Sequence, residues 1–177
     1  SYSVTGVQTC ALPISQAKTK KGNRKSEYAL RDAELWGAAA QFDGRYEYPL
    51  AAMDETWKKV LLNQFHDILP GSSIHRVYEE AEALYDEVVR DSNAVAESAA
   101  KSMLREEPDA VAVLNSLSWD RRELVGLPAG FPAAGREVQE IDGTTYAEVD
   151  VPSCGVATLR SGSPVAEIGR ASCRERV

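Results

Sequence analysis

The hydrophobic pattern of the chain changes its period at Glu107-Pro108-Asp109, and this change constrains the fold more than any other feature of the sequence. Before it, apolar residues recur at steps of three and four, which is typical of amphipathic helices; after it, they alternate at steps of two, which is typical of half-buried strands. Helices followed by strands, rather than alternating with them, predict an α+β fold. We therefore expect a three-helix antiparallel bundle followed by a few antiparallel β-strands of a truncated β domain.

The part before this change contains three helical patterns. Residues 27–40 have a helix-favouring composition. A clearer apolar stripe begins after Tyr48-Pro49 and comprises Leu50, Met53, Trp57, Val60, Leu61, Gln64, Phe65 and Ile68. Pro70 and Gly71 end this stripe, and a third runs from Ile74 to Met103 with a bend expected near Asp91-Ser92-Asn93. The basic run over residues 16–26 is expected to be a solvated loop.

The part after the change contains five short strand patterns. They cover residues 110–117, 123–127, 138–141, 145–151 and 155–159. Asp142-Gly143 lies between the third and fourth and is a favoured two-residue hairpin turn. So few short strands do not close a sandwich, and we therefore expect only the beginning of a β domain.

The two ends of the chain lack any such period. Residues 4–14 (VTGVQTCALPI) and 167–177 (EIGRASCRERV) look like conceptual translations of sequencing-library adapter DNA; the alternative is a natural disordered tail. The expected organisation is residues 1–15 and 167–177 derived from adapter sequence, residues 16–106 as the helical domain, and residues 107–166 as the start of the β domain. We expect residues 1–14 and 168–177 to pack against nothing.

Charge and cysteine content exclude several classes of function. The 20 Lys and Arg against 27 Asp and Glu give a net charge of −7, so a whole-chain basic surface for nucleic acid is missing. No stretch approaches the roughly 20 apolar residues of a membrane span. Cys10 and Cys173 lie in the two end segments, which leaves Cys154 without a partner for a disulfide or a thiol zinc site.

The candidate chemistry lies around His66, in the sequence NQFHDILPGSS. We expect His66 near the C-terminal end of the second helix, where a metal or a protonated histidine is electrostatically favoured. The alternative is a partly buried helix-end histidine beside an exposed Asp67. One His and one Asp cannot hold zinc, which takes three or four ligands. The other histidine, His75, is expected on the surface, and a nucleophilic role for Cys154 is unsupported.

The chain resembles glycoside hydrolase family 38, the zinc-dependent α-mannosidases. The resemblance rests on residues 16–36 (QAKTKKGNRKSEYALRDAELW), 57–81 (WKKVLLNQFHDILPGSSIHRVYEEA) and 113–128 (VLNSLSWDRRELVGLP). It implies that the helical part is the family's middle domain, that His66 is a zinc ligand, and that Asp67 contacts hydroxyls of the sugar. The motif looks more like the bacterial and cytosolic branch, which implies a cytoplasmic location.

The same resemblance implies what this chain does not contain. The substrate would be a mannoside or oligosaccharide, and the partner would be an N-terminal catalytic domain of the same polypeptide that supplies the remaining zinc ligands, the nucleophile and the acid/base carboxylate of a retaining mechanism. We therefore expect no catalytic residue in this chain, and no activity from it alone. Two other interpretations remain: a helical module that binds protein or glycan without catalysis, and a metal-sensing domain, which lacks a complete ligand set.

Overall fold

A computed structural model describes residues 16–105 and 107–163 and the backbone of residues 166–171. The helices are α1 (Ala17–Phe42), α2 (Leu50–Asn63) and α3 (His75–Met103), and the strands are β1 (Ala110–Asn115), β2 (Arg121–Gly126), β3 (Glu137–Ile141), β4 (Thr144–Val151), β5 (Gly155–Arg160) and β6 (Ala166–Ala171). The chain divides into two compact units, the first of which ends at Arg105. The α+β fold class, with three helices followed by strands, is confirmed.

The first unit is an up-down-up helical bundle. α1 packs most extensively on α3, and α2 runs antiparallel to both, since Trp57 Nε1 donates to Glu34 Oε1 and Lys59 Nζ pairs with Glu87. The core contains Leu30, Ala33, Met53, Val60 and Val88. Burying a side chain the size of Leu30 or Val60 contributes roughly 1.5–3 kcal/mol relative to leaving it exposed.

α1 begins at Ala17, so the prediction of a solvated loop over residues 16–26 was wrong. The run is helical because its small and polar residues, Thr19, Asn23 and Ser26, are spaced by three and four and are buried. Gly22 lies on the same face, where a Cβ atom would come within 2.7 Å of the Tyr85 ring. The lysines and arginines of the run point away from this face, which is why its composition resembles that of a loop.

α2 ends at Asn63, five residues before the predicted end at Ile68. After the helix, the backbone hydrogen bond of Phe65 spans three residues instead of four, since Phe65 N donates to Leu62 O at 3.2 Å. The apolar period continues past this point, but Phe65 is exposed, as are Leu61 and Leu62 in the last turn of the helix, so burial does not favour a longer helix. α3 is continuous through Ser92.

The second unit consists of two small sheets. β1 pairs with β5, and the other sheet has the order β2-β4-β3-β6. The alternation of β4 places Ala147, Val149 and Val151 in the core, together with Leu127, Ala133, Val138 and Leu159. The predicted Asp142-Gly143 turn joins β3 to β4, and both residues have positive φ (50° and 80°), as such hairpin turns require.

β6 departs from what the sequence predicted for the C-terminal end. Ala166–Ala171 pairs with β3, and this pairing is parallel, whereas the other paired strands are antiparallel. Residues 168–171 therefore do pack against something, because strand pairing uses backbone N–H and C=O groups that a segment without an apolar pattern also supplies. The expectations for residues 1–15 and 172–177, and thus for Cys10 and Cys173, lie outside the described residues.

Candidate functional site

The candidate residues lie in the segment that connects α2 to α3, residues 64–74, which folds into a series of tight turns. Ile68 N and Leu69 N donate to Phe65 O at 3.0 and 3.2 Å, and Ser72 N donates to Asp67 O at 3.2 Å. Gly71 has a φ of 102°, a conformation that a side chain would strain. At the far end, Ser73 N donates to the Tyr78 hydroxyl at 2.6 Å, which attaches the segment to α3.

His66 and Asp67 both face solvent in this segment. Their side chains are 77% and 55% exposed, and His66 Nε2 lies 3.6 Å from Asp67 Oδ2, too far for a hydrogen bond. The imidazole contacts the ring of Phe65, with 4.1 Å between the ring centroids. His66 is thus in a turn after the helix rather than in its last turn, and its nitrogens are accessible to a ligand.

The donor chemistry of this pair fits part of a zinc site. An imidazole nitrogen and a carboxylate oxygen are both zinc ligands, and neither is engaged in a strong internal bond here. Among the described residues, however, no group of three or more His, Cys, Asp and Glu side chains is arranged to hold a metal ion. His66 and Asp67 can therefore supply up to two of the ligands that such a site needs.

A polar network lies directly beneath the start of this segment. Gln64 Nε2 donates to Asn23 Oδ1 and to Glu27 Oε1, both at 3.0 Å. Asn23 Nδ2 donates to Glu27 Oε1 at 2.9 Å, and Arg24 Nη1 donates to Glu27 Oε2 at 2.9 Å. Sequence reasoning missed this network, because 37 or more residues separate Gln64 from its partners and the run containing Asn23 was assigned to a loop.

Tyr85 supports the same region from α3. Its side chain is 1% exposed, and its hydroxyl donates to Asn63 O at 3.3 Å, at the last residue of α2. Burial, with a smaller contribution from the negative charge of Glu27, raises the pKa of Tyr85 to about 12. The phenol is therefore a neutral donor at physiological pH.

The other candidates are where the sequence placed them. His75 is 88% exposed and lies 3.4 Å from Glu79, one turn along α3, so it is a surface residue. Glu80 pairs with Arg76 on the same exposed helix. Cys154 is an exposed free thiol in the turn before β5. None of the helices in the described part of the chain is long and apolar enough to cross a bilayer.

Comparison with known proteins places these observations in a family. Residues 14–103 match the family model described as the alpha mannosidase middle domain. The human protein Alpha-mannosidase 2C1 is 34% identical over 142 residues, which are 78% of this chain and 14% of that protein. The Alpha-mannosidase of Saccharomyces cerevisiae is 36% identical over 115 residues, or 63% of this chain and 10% of the yeast protein.

The fold has a counterpart among solved structures. The crystal structure of an alpha-mannosidase from Enterococcus faecalis V583 superposes with a TM-score of 0.56 at 17% identity, over 87% of this chain and 25% of that one. This chain thus spans a seventh or less of the length of these curated relatives. With residues 14–103 matching one family model, the chain belongs to the α-mannosidase family, glycoside hydrolase family 38, through the middle domain of that family.

Proposed function

We propose that this chain is part of a zinc-dependent α-mannosidase that hydrolyses terminal α-mannosides of oligosaccharides, to which it contributes one zinc ligand, His66, and one sugar-contacting carboxylate, Asp67. The observation that carries the proposal is the adjacent, solvent-facing placement of these two side chains in a chain of this family. The resemblance to the cytosolic-type branch leads us to propose a cytoplasmic location as well.

His66 would hold the metal through a neutral imidazole nitrogen, which its exposure leaves free to coordinate. When bound, zinc would supply a Lewis-acid centre that orients hydroxyls of the sugar ring. Asp67 would accept hydrogen bonds from two vicinal hydroxyls, since its carboxylate has two oxygens and is 55% exposed. His66 would thus hold the ion and Asp67 would bind the sugar, while the nucleophile and the acid/base carboxylate of the retaining reaction belong to the rest of the polypeptide.

The proposal predicts that the 177-residue chain alone is inactive. The pair His66 and Asp67 leaves at least two positions of a four-coordinate zinc ion to water, so a weakly held ion is expected. We expect no hydrolysis of an aryl α-mannoside by the purified chain and no zinc retained after dialysis. Hydrolytic activity that co-purifies with the chain through an added purification step would contradict this.

The decisive experiment uses the complete α-mannosidase that contains this chain. His66→Ala should lower zinc affinity and turnover together. Each should fall by more than the roughly 10- to 100-fold loss that follows when a residue hydrogen-bonded to a metal ligand is replaced. Asp67→Asn should keep zinc and weaken sugar binding, because the amide fills the same space with one acceptor oxygen fewer. The matched control is His75→Ala, an equally exposed histidine beside a carboxylate, which should change neither quantity. Full zinc occupancy and normal turnover in His66→Ala would refute the proposal and favour a non-catalytic binding module.

A further inference from the structure

Gln64 occupies the point at which the chain leaves α2 and enters the segment that carries His66. The helix ends at Asn63, and Gln64 is the first residue after it. Its side chain turns back to α1, where its amide donates two hydrogen bonds, to Asn23 Oδ1 and Glu27 Oε1, each at 3.0 Å. The exit of α2 is therefore tied to a helix more than 35 residues away in the sequence.

The acceptors for Gln64 are themselves fixed. Asn23 is 8% exposed, and its own amide nitrogen donates to Glu27 Oε1 at 2.9 Å, which turns its oxygen toward Gln64. Arg24 holds the other oxygen of Glu27 at 2.9 Å. The carboxylate thus receives charge-assisted bonds on both oxygens, and such bonds are shorter and stronger than neutral ones. A partly buried network in which each member is paired has one preferred geometry.

The bonds within the following turns do not replace this attachment. The amides of Ile68, Leu69 and Ser72 donate to Phe65 O or Asp67 O, which shapes the turns internally but does not orient them on the bundle. The attachment of Ser73 N to the Tyr78 hydroxyl lies seven residues after His66, at the far end of the segment. His66 is two residues after Gln64, a span of at most about 7 Å. A change in the direction of the backbone at Gln64 therefore moves the imidazole of His66 and the carboxylate of Asp67.

We infer that Gln64, Asn23 and Glu27 are positioning residues, which orient the segment so that His66 and Asp67 present their donor atoms in one fixed direction. This inference rests on the proposed function, since it is the metal and the sugar that make the direction matter. The residues do not touch either ligand themselves; they act through His66 and Asp67. Residues that orient metal ligands commonly change metal affinity by 10- to 100-fold when replaced.

The first test measures the segment itself in the 177-residue chain by amide hydrogen exchange. Gln64→Met keeps the length of the side chain and removes the donor, and we expect the amides of Ile68, Leu69 and Ser72 to exchange about tenfold faster or more. Amides in the bundle core, such as those of Ala33 and Val88, should keep their rates, whereas a purely structural loss would accelerate both groups. Gln64→Lys, which retains a donor for both acceptors, should restore protection.

The matched control is Gln41→Met. Gln41 is likewise a glutamine next to a helix end, the end of α1, and its Oε1 accepts a bond from Tyr48 N at 3.2 Å, but this bond shapes the connection between α1 and α2. This variant should leave the amides of residues 68–72 unchanged. Unchanged exchange in Gln64→Met, or equal acceleration in Gln41→Met, would overturn the inference.

The second test measures zinc retention against a chelator in the complete α-mannosidase. Gln64→Met should weaken zinc binding about tenfold, and combining it with His66→Ala should weaken binding no further than His66→Ala does alone, because Gln64 acts through His66. Additive losses would contradict the positioning role. If His66→Ala itself retains zinc, the proposed function fails, and the exchange experiment still decides whether Gln64 orients the segment.

Discussion

Two connections in this chain contain polar side chains of similar kind and use them in opposite ways. Asn115, the last residue of β1, begins the connection to β2 and is 2% exposed; its amide nitrogen donates to Trp119 O and Pro152 O at 2.8 and 3.0 Å, and its oxygen accepts from Leu117 N at 3.1 Å. In the segment between α2 and α3, His66 and Asp67 point outward. The first loop is shaped by a polar side chain inside it, and the second is held from beneath by Gln64 and Tyr85.

The difference shows that the role of a polar cluster depends on whether its side chains point into the protein or toward solvent. A buried amide that satisfies several backbone groups contributes to stability, and its replacement leaves those groups unpaired. Exposed donors contribute almost nothing to stability and are available to a ligand. Different residues thus determine stability and ligand binding, and single substitutions should change one without the other.

The largest effect is expected from Tyr85→Ala, which removes the buried support of the second connection. The ring is 1% exposed and lies against Gly22, so its loss leaves a cavity and should lower the free energy of unfolding by about 3–5 kcal/mol. Urea denaturation followed by the helical circular dichroism signal measures this. The control Tyr28→Ala, at a side chain 57% exposed, should stay within about 0.5 kcal/mol. A loss below 1 kcal/mol for Tyr85→Ala would contradict the packing of α1 on α3.

A smaller loss is expected from Asn115→Ala in the first loop. Three backbone groups lose their partner, and the free energy of unfolding should fall by about 1–3 kcal/mol. Trp119 lies in this loop, and the difference in fluorescence between chains with and without Trp119→Phe monitors the transition, because Trp36 and Trp57 also emit. Asn93→Ala, at an exposed asparagine of α3, provides the comparison and should show no loss. If the two variants behaved alike, the amide of Asn115 would not be what shapes the loop.

The next effect depends on pH and concerns the hydroxyl of Tyr85. Its pKa is about 12 in the folded chain against an ordinary value of 10, so between these values the unfolded state releases a proton that the folded state keeps. This contribution to stability is therefore fully present below pH 10 and is lost as the pH rises toward 12. Tyr85→Phe removes it, so the stability difference between wild type and variant should shrink between pH 9 and pH 12 in urea titrations. A constant difference would mean that the phenol ionises normally.

The smallest effect is expected from His66→Ala in the 177-residue chain. A side chain that is 77% exposed with no hydrogen bond at its imidazole makes few contacts, so the free energy of unfolding should change by no more than about 0.5 kcal/mol. Thermal unfolding of wild type and variant, measured side by side, is sufficient. Destabilisation comparable to that of Asn115→Ala would show that the two connections do not differ as described.

The sequence predicted the second unit well because its core is made of alternating Val, Leu and Ala. In β4, for example, Ala147, Val149 and Val151 are buried and the residues between them are not, and Asp142-Gly143 supplies the positive φ angles of the turn. In this unit the alternation of apolar residues in the sequence matches the alternation of buried side chains, so the strands can be predicted from local sequence. The pairing of β6 with β3 was not predictable in this way, because the backbone groups of an open strand edge can pair with a segment that has no alternating pattern.

The helical unit was predicted less accurately for two physical reasons. The buried face of α1 contains Thr19, Asn23 and Ser26, and a hydrophobicity scale predicts such residues to be exposed. Conversely, Leu61, Leu62 and Phe65 continue the apolar period of α2 although they are exposed. The motif around His66 was recognisable from local sequence, whereas the bonds that orient it join residues far apart in the chain.

The close approach of Gly22 to Tyr85 bears on how the chain tolerates mutation. The charged positions among residues 16–26 look replaceable, since most of these side chains are in solvent, and a saturation scan should find them permissive, unlike the buried positions Thr19, Asn23 and Ser26. Position 22 should also resist substitution: a single added methyl group would press on the Tyr85 ring at 2.7 Å, and the hydroxyl of that ring donates to Asn63 O, where α2 ends. Through Tyr85, a substitution on α1 would then disturb the end of α2, where the segment that carries His66 begins, about one helix diameter from the altered atom.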